Sequence, residues 1–398
     1  MKKWEPRKKF WISDMEAVLA VMLVLLILGT INVFSSSFII AETDFGTPYH
    51  FLQRQFMNLA AGTFCFVLGC CVNYHRWRKW ILPILGITLL SLLLVLLIGT
   101  EVNGSRRWLG AGGLQIQPAE IAKLVALMLI SAYLASRVRK NQSINIFSGQ
   151  FVIICLMGAL IEKEPDGGTM FIVVVVPVLL MSIAGLSKQK ILRMVVVMLS
   201  GIAALCVLQP YRLERVKILF NPWADAQNVG YQIVQSLSAI GSGGFWGMGL
   251  GMGVSKYNYL PEAHTDFAFA VFSQENGFLG VILVLFLYGA FTVYSARIAN
   301  KAEDIYGQFL ATGILLLISV QAVVNILMVA GVLPVIGVPL PFISYGGTSL
   351  IVSMASVGIL LNIGYHGARK QRLLERAQEE TGGEEPEEPV RRLRLVKK

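Results

Sequence analysis

Charge is scarce in this chain. Asp, Glu, Lys and Arg make up 15% of its 398 residues, against about 25% in a soluble globular domain. Hydrophobic residues make up 55%, and mean hydropathy is +0.64. A soluble enzyme or a charged binding module is excluded, and an integral membrane protein remains. Histidine is scarcer still, with four residues. No zinc motif, Ser-His-Asp order or dinucleotide fingerprint can be assembled from what is present. The five cysteines, Cys65, Cys70, Cys71, Cys155 and Cys206, all lie in apolar stretches without metal-ligand or disulfide spacing. They read as inert core residues.

The net charge of +10 is not a nucleic-acid footprint, because the basic residues flank apolar runs as cytoplasmic loops do. The run 17–40 exceeds a signal-peptide core of about 7–15 residues and should remain as a helix. Spanning a bilayer takes about 20 apolar residues, which predicts an all-α polytopic membrane protein of about ten transmembrane helices. Their windows are 17–40, 51–72, 80–99, 119–136, 147–161, 169–186, 191–209, 267–296, 307–331 and 343–365.

With the N-terminus inside beside Lys2, Lys3, Arg7, Lys8 and Lys9, ten crossings place Arg76/Arg78/Lys79, Arg137/Arg139/Lys140, Lys188/Lys190 and Arg297/Lys301 inside, so that every inner connection is basic. The expected organisation is a cytoplasmic tail over 1–14 and a membrane domain over 15–367. The membrane domain carries a large outer loop, 210–266. A charged, disordered cytoplasmic tail is expected over 368–398.

The polar residues that do occur are concentrated at predicted outer helix ends. Glu262, His264, Thr265 and Asp266 crowd the mouth of the eighth helix. Thr265 or Asp266 at its N-cap is one reading. A general base is the other: the helix terminus would lower the carboxylate pKa, while desolvation and like charge from Glu275 would raise it. His264 alone reads as a hydrogen-bonded surface residue more often than as a base or ligand.

Pro118 and Glu120 suit the start of a helix, and Glu120 and Lys123 form an i,i+3 pair at membrane depth. Such charges face a partner or a cavity. Arg106 and Arg107 lie outside, against the positive-inside trend, with Arg212, Arg215, Lys217 and Lys256. They suit an anionic ligand or lipid headgroups. The glycines from Gly241 to Gly253 read either as a phosphate cradle or as a tight re-entrant loop. They are not a P-loop, since no Gly-Lys-Ser/Thr follows.

Five ordered stretches resemble the SEDS family (shape, elongation, division and sporulation). They are Arg107-Trp108-Leu109, Gln117 to Lys123, Glu164-Pro165-Asp166-Gly167-Gly168, Tyr259 to Phe267 and Ile343 to Gly347. The resemblance runs from Ala17 to Gly367. Ala119 stands where serine is usual, and Gln274 where an acid is usual. The Gly249–Phe267 stretch resembles the division branch, and Leu333 to Pro341 the elongation branch; the division branch is favoured.

The resemblance implies a glycosyltransferase that polymerises lipid II onto undecaprenyl-pyrophosphate-linked glycan at the outer membrane face. Asp266 falls at the essential aspartate and would take the proton of the attacking hydroxyl. Arg106, Arg107, Glu120, Lys123, Asp166, Lys256, His264 and Glu275 would contact or frame the substrate. A divalent cation (Mg or Mn) could share the charge work, though the sequence shows no dedicated ligand set. A class B penicillin-binding protein and other division or elongation proteins are the implied partners. A lipid II flippase and a non-catalytic division scaffold are the alternatives.

Overall fold

The computed structural model describes residues 13–102, 105–110, 115–208, 210–257 and 259–380. Twelve α-helices are seen among them. They are α1 (Asp14–Phe45), α2 (His50–Cys71), α3 (Tyr74–Ile98), α4 (Pro118–Arg139), α5 (Gly149–Lys163), α6 (Gly167–Ile183), α7 (Lys188–Leu208), α8 (Pro210–Phe220), α9 (Tyr231–Gly243), α10 (Ala268–Asn300), α11 (Ile305–Val329) and α12 (Gly347–Glu380). Each of the ten expected windows falls on one of these helices. The loop 210–266, expected outside, supplies the other two, α8 and α9, with a 3-10 turn at Pro222–Asp225 between them.

By length and composition, α1, α3, α4, α10, α11 and α12 can each cross a membrane, and α6 is apolar but shorter. Helix α3 leaves Leu82, Ile87, Leu90, Leu97 and Ile98 exposed. Contiguous apolar exposure on this scale means a lipid-facing surface.

Local signals set the helix ends. Ser13 and Glu16 form a capping box at α1, and Gly46 closes it in the left-handed conformation. Pro118 occupies the first turn of α4. Asp304 accepts the Gly307 N–H at α11. Small residues allow close helix contacts: a Cβ on Gly358 would lie 2.3 Å from the Phe66 carbonyl oxygen, which brings α12 against α2.

The connection after α3 carries an antiparallel hairpin of β1 (Thr100–Val102) and β2 (Ser105–Trp108). Two expectations need correction. The charged tail does not begin at 368, because α12 continues to Glu380. Residues 1–12 and 381–398, on which the remaining tail assignments fall, lie outside the described residues. Finally, neither Thr265 nor Asp266 caps the helix after the 210–266 loop. That position is Phe267, and no side chain caps α10.

Helix α10 is broken at Gly277, which adopts φ 64° and ψ −165°. The glycine-rich segment after α9 threads the break. Met248 and Gly249 donate to the carbonyls of Gln274 and Glu275, and Phe278 donates to Gly244. A Cβ on Gly277 would sit 2.2 Å from the Gly247 nitrogen, and one on Gly247 2.2 Å from the Glu275 oxygen. The glycines therefore serve a tight re-entrant segment, and the backbone groups freed by the break are satisfied inside the protein.

Candidate functional site

Asp266 lies half-buried at one end of the bundle, where several connections converge. Its backbone carbonyl accepts from Asn325 Nδ2 at 2.8 Å, and the same amide donates to the Val338 oxygen at 2.7 Å. One turn earlier on α11, Gln321 donates to the Pro339 oxygen at 2.9 Å and accepts from Lys123 Nζ at 2.9 Å. Two amides on one helix face thus fix Val338 and Pro339, in the chain between α11 and α12, against the segment that carries Asp266. Gly337, at φ 68°, lies so close that a Cβ there would be 3.3 Å from Asp266 Oδ2. Glu262 and Phe342 hold positive φ angles of 53° and 68°. Such backbone strain concentrates at functional sites.

The α5–α6 turn supplies a second carboxylate. Asp166 Oδ1 caps α6 by accepting the Thr169 N–H at 3.1 Å. Its Oδ2 accepts from Gln117 Nε2 at 2.8 Å, and the Gln117 N–H reaches Thr348 Oγ1 at 3.0 Å. Arg107 Nε donates to the Glu164 oxygen at 3.1 Å and Nη2 to the Pro165 oxygen. Arg215 Nη1 donates to the Val335 oxygen at 2.9 Å.

These groups act on one another. The Asp266 carboxyl is pushed up to about 7, first by burial, then by the charges of Glu262 and Asp166, with Arg107 and Arg215 opposing. Burial also raises Asp166 and lifts Glu164 to about 8, with Arg107 opposing both. Glu164 is 1% exposed, and its carboxyl oxygens have no hydrogen-bond partner among the described residues. A carboxyl near 7 is suited to proton abstraction at neutral pH.

The sequence-selected residues do not all meet here. Arg107 and Asp166 act directly on Asp266. Glu120 acts on Asp166 and pairs with Lys123 at 2.6 Å, both side chains buried on α4. Arg106 does not join them. Strand alternation turns it to the other face of β2, where it is exposed and faces Glu101 at 3.6 Å.

Lys256 and Glu275 pair with each other instead of with Asp266. Their contact is 2.7 Å, and both also contact Ser35 of α1 beneath the Phe38 ring. The expected repulsion between Glu275 and Asp266 is therefore absent from the charges that shift Asp266. The His264 ring packs on Phe51, with centroids 4.6 Å apart, and burial lowers its pKa, with the Glu262 charge opposing.

Gln117, Glu164, Gly337, Gln321 and Asn325 belong to the same constellation without having been selected as site residues, and Arg215 joins them from the group of outer cations. Gln117 and Glu164 sat inside motifs already marked. Gln321 and Asn325 carried a signal that went unread: two amides four residues apart in an apolar helix. Among the described residues, no three His, Cys, Asp or Glu side chains converge as a metal site.

A bundle of lipid-facing helices with a cluster of shifted carboxyls and guanidiniums at one end defines an integral membrane protein with a site suited to proton transfer beside an anionic group. The chain belongs to the FtsW/RodA/SpoVE family: the family model described as "Cell cycle protein" matches residues 15–369. It is 39% identical over 364 residues to the probable peptidoglycan glycosyltransferase FtsW of Trichlorobacter lovleyi, covering 90% of this chain and 95% of that one. It is 38% identical over 349 residues to the stage V sporulation protein E of Bacillus subtilis, covering 86% and 94%. Among solved structures, a chain from a peptidoglycan synthase complex, studied for the coordination of polymerization and crosslinking, matches with a TM-score of 0.72 at 28% identity, covering 88% of this chain and 97% of that one. The rod shape determining protein RodA of Thermus thermophilus matches with a TM-score of 0.63 at 26% identity, covering 90% and 98%.

Proposed function

We propose that this protein is a peptidoglycan glycosyltransferase that polymerises lipid II into glycan strands at the outer face of the cytoplasmic membrane, for division or shape. The observation that carries the reading is Asp266: a half-buried carboxyl raised to about 7, held beside Gly337 and flanked by two guanidiniums. The names of its relatives agree with it.

In this reading Asp266 takes the proton from the attacking sugar hydroxyl. The hydroxyl oxygen forms the new bond to the anomeric carbon of the glycan donor, and the bond from that carbon to the pyrophosphate oxygen breaks. The electron pair leaves with undecaprenyl pyrophosphate. Arg107 and Arg215 stabilise the charge that develops there, as preorganised cations do. The Glu120–Lys123 pair and Gln321 hold the wall behind them. No step is assigned to a divalent cation.

In this proposal both termini lie inside. The support is the basic end of the bundle opposite Asp266, where Lys301 meets Asp14 and Lys370 reaches the Glu303 oxygen. A class B penicillin-binding protein, acting as crosslinking partner, is part of the proposal. Its support is the likeness to a chain of a peptidoglycan synthase complex.

The test is purified protein with lipid II, alone and with its crosslinking partner, assayed for glycan polymer on gels. Polymer from the parent and none from Asp266→Asn is the expected result. Lipid II moved across vesicle membranes with no polymer formed would replace the enzyme with a transporter.

A further inference from the structure

The end of the bundle opposite Asp266 carries a cavity that the proposed reaction does not use. It lies between the first turns of α3, the last turns of α4 and the start of α5, and its volume is about 480 Å3. That size falls among small-molecule sites, which span about 300–1,000 Å3.

One side of the cavity is cationic, formed by Arg78, Arg137 and Lys140, with the amides of Gln142 and Gln150 beside them. No carboxylate lines it among the described residues. Two of the cations are held in place. The Arg137 guanidinium lies over the Tyr133 ring at 5.5 Å and donates to Gln142 Oε1 at 2.8 Å. Arg78 lies over the Tyr306 ring at 5.4 Å. The Tyr133 hydroxyl in turn bonds the Asn145 backbone and so ties the α4–α5 connection to the wall.

The other side is apolar: Ile81, Leu82, Leu129 and Ala132. Leu82 is 74% exposed, so this flank opens sideways to the surroundings of α3. Exposed Trp80 and Phe147 lie close by in sequence to the lining residues, and aromatic residues of this kind mark the level of lipid headgroups. Fixed cations at headgroup depth with an apolar flank beneath them match a molecule with an anionic head and a hydrocarbon tail.

We propose that this cavity binds the phosphate headgroup of an anionic membrane lipid, with its acyl chain along Leu82 and Leu129. Basic pockets between membrane helices recognise such headgroups, and arginine forks suit phosphate oxygens. Free inorganic phosphate shares the headgroup chemistry but has nothing to place on the apolar flank.

The test uses the full-length chain, stripped of lipid in a non-ionic detergent and titrated with phosphatidylglycerol, phosphatidylcholine or inorganic phosphate. Bound lipid is counted by native mass spectrometry. Phosphatidylglycerol should bind about tenfold or more tightly than phosphatidylcholine. Lys140→Gln, an exposed change, should weaken it about fivefold, and the triple change with Arg78→Gln and Arg137→Gln about 100-fold. Lys79→Gln, an exposed basic neighbour outside the cavity, should leave binding unchanged. If the triple variant fails to fold, the two single lysine variants still decide. Equal weakening by Lys79→Gln would mean a diffuse basic surface and overturn the site. Phosphatidylcholine binding as well as phosphatidylglycerol would overturn the headgroup assignment. Inorganic phosphate displacing the lipid at equal concentration would overturn the lipid.

Discussion

Asp266→Asn should abolish polymerisation while making the protein more stable at alkaline pH. The folded state raises this carboxyl from 3.8 to about 7, so the fold disfavours its charged form. The native state therefore binds the proton more tightly than the unfolded chain. The resulting destabilisation is absent below pH 3.8, grows as pH rises from there, and is complete above about 7. A shift of this size corresponds to about 4 kcal/mol. Solvent reaches the half-buried carboxyl and screens it, which lowers the expected gain to about 1–3 kcal/mol.

The amide has no charge at any pH and escapes the penalty. Its thermal midpoint in detergent should exceed the parent's at pH 8, and the difference should shrink steadily as pH falls toward 4. Activity should fall by about 100- to 10,000-fold, the usual contribution of a general base. The parent's rate with lipid II should rise with pH and level off above about 7. A variant that polymerises at the parent's rate would refute the assignment of the base. A variant less stable than the parent at pH 8 would refute the desolvation argument, even if activity were lost.

Removing either member of the Glu120–Lys123 pair leaves a buried charge without its partner, so Glu120→Ala and Lys123→Ala should each cost about 3–5 kcal/mol in thermal unfolding. Exchanging the two residues should recover part of this but not the Lys123–Gln321 bond; single variants as stable as the parent would show that the pair contributes nothing. Gly337→Ala should cost about 1–2 kcal/mol for its left-handed backbone, and its methyl group beside Asp266 should move the midpoint of the pH–rate profile upward. An unmoved midpoint would mean the contact is not made. Gly277→Ala should prevent folding, because the methyl group would overlap the Gly247 backbone; normal yield of folded protein would disprove the threaded break in α10. In a background without native cysteines, exposed Trp246→Cys should react with an impermeant thiol reagent from outside the cell and Gln189→Cys should not. The reverse pattern would invert the orientation.

Much of this protein is written locally, and that part is legible in the sequence. Apolar windows of spanning length fall on helices, because in lipid each segment must satisfy its own backbone hydrogen bonds. Pro118 starts a helix where the chain places it, since a helix start needs only a few neighbouring residues. Asp266 stands out as a carboxylate at a helix mouth, whereas Asp166 is marked only by the family resemblance.

Which charges meet was decided elsewhere. Arg106 and Arg107 are adjacent in sequence, yet strand alternation sends them to opposite sides, and only Arg107 reaches the site. Lys256 and Glu275 neutralise each other against α1 and do not act on Asp266. Arg215, Gln321, Asn325 and Gly337 come from distant parts of the chain to surround Asp266. The raised pKa of Asp266 exists only in that company. Desolvation and Coulomb interaction depend on distance and burial in three dimensions, and neither is fixed by the order of residues along the chain.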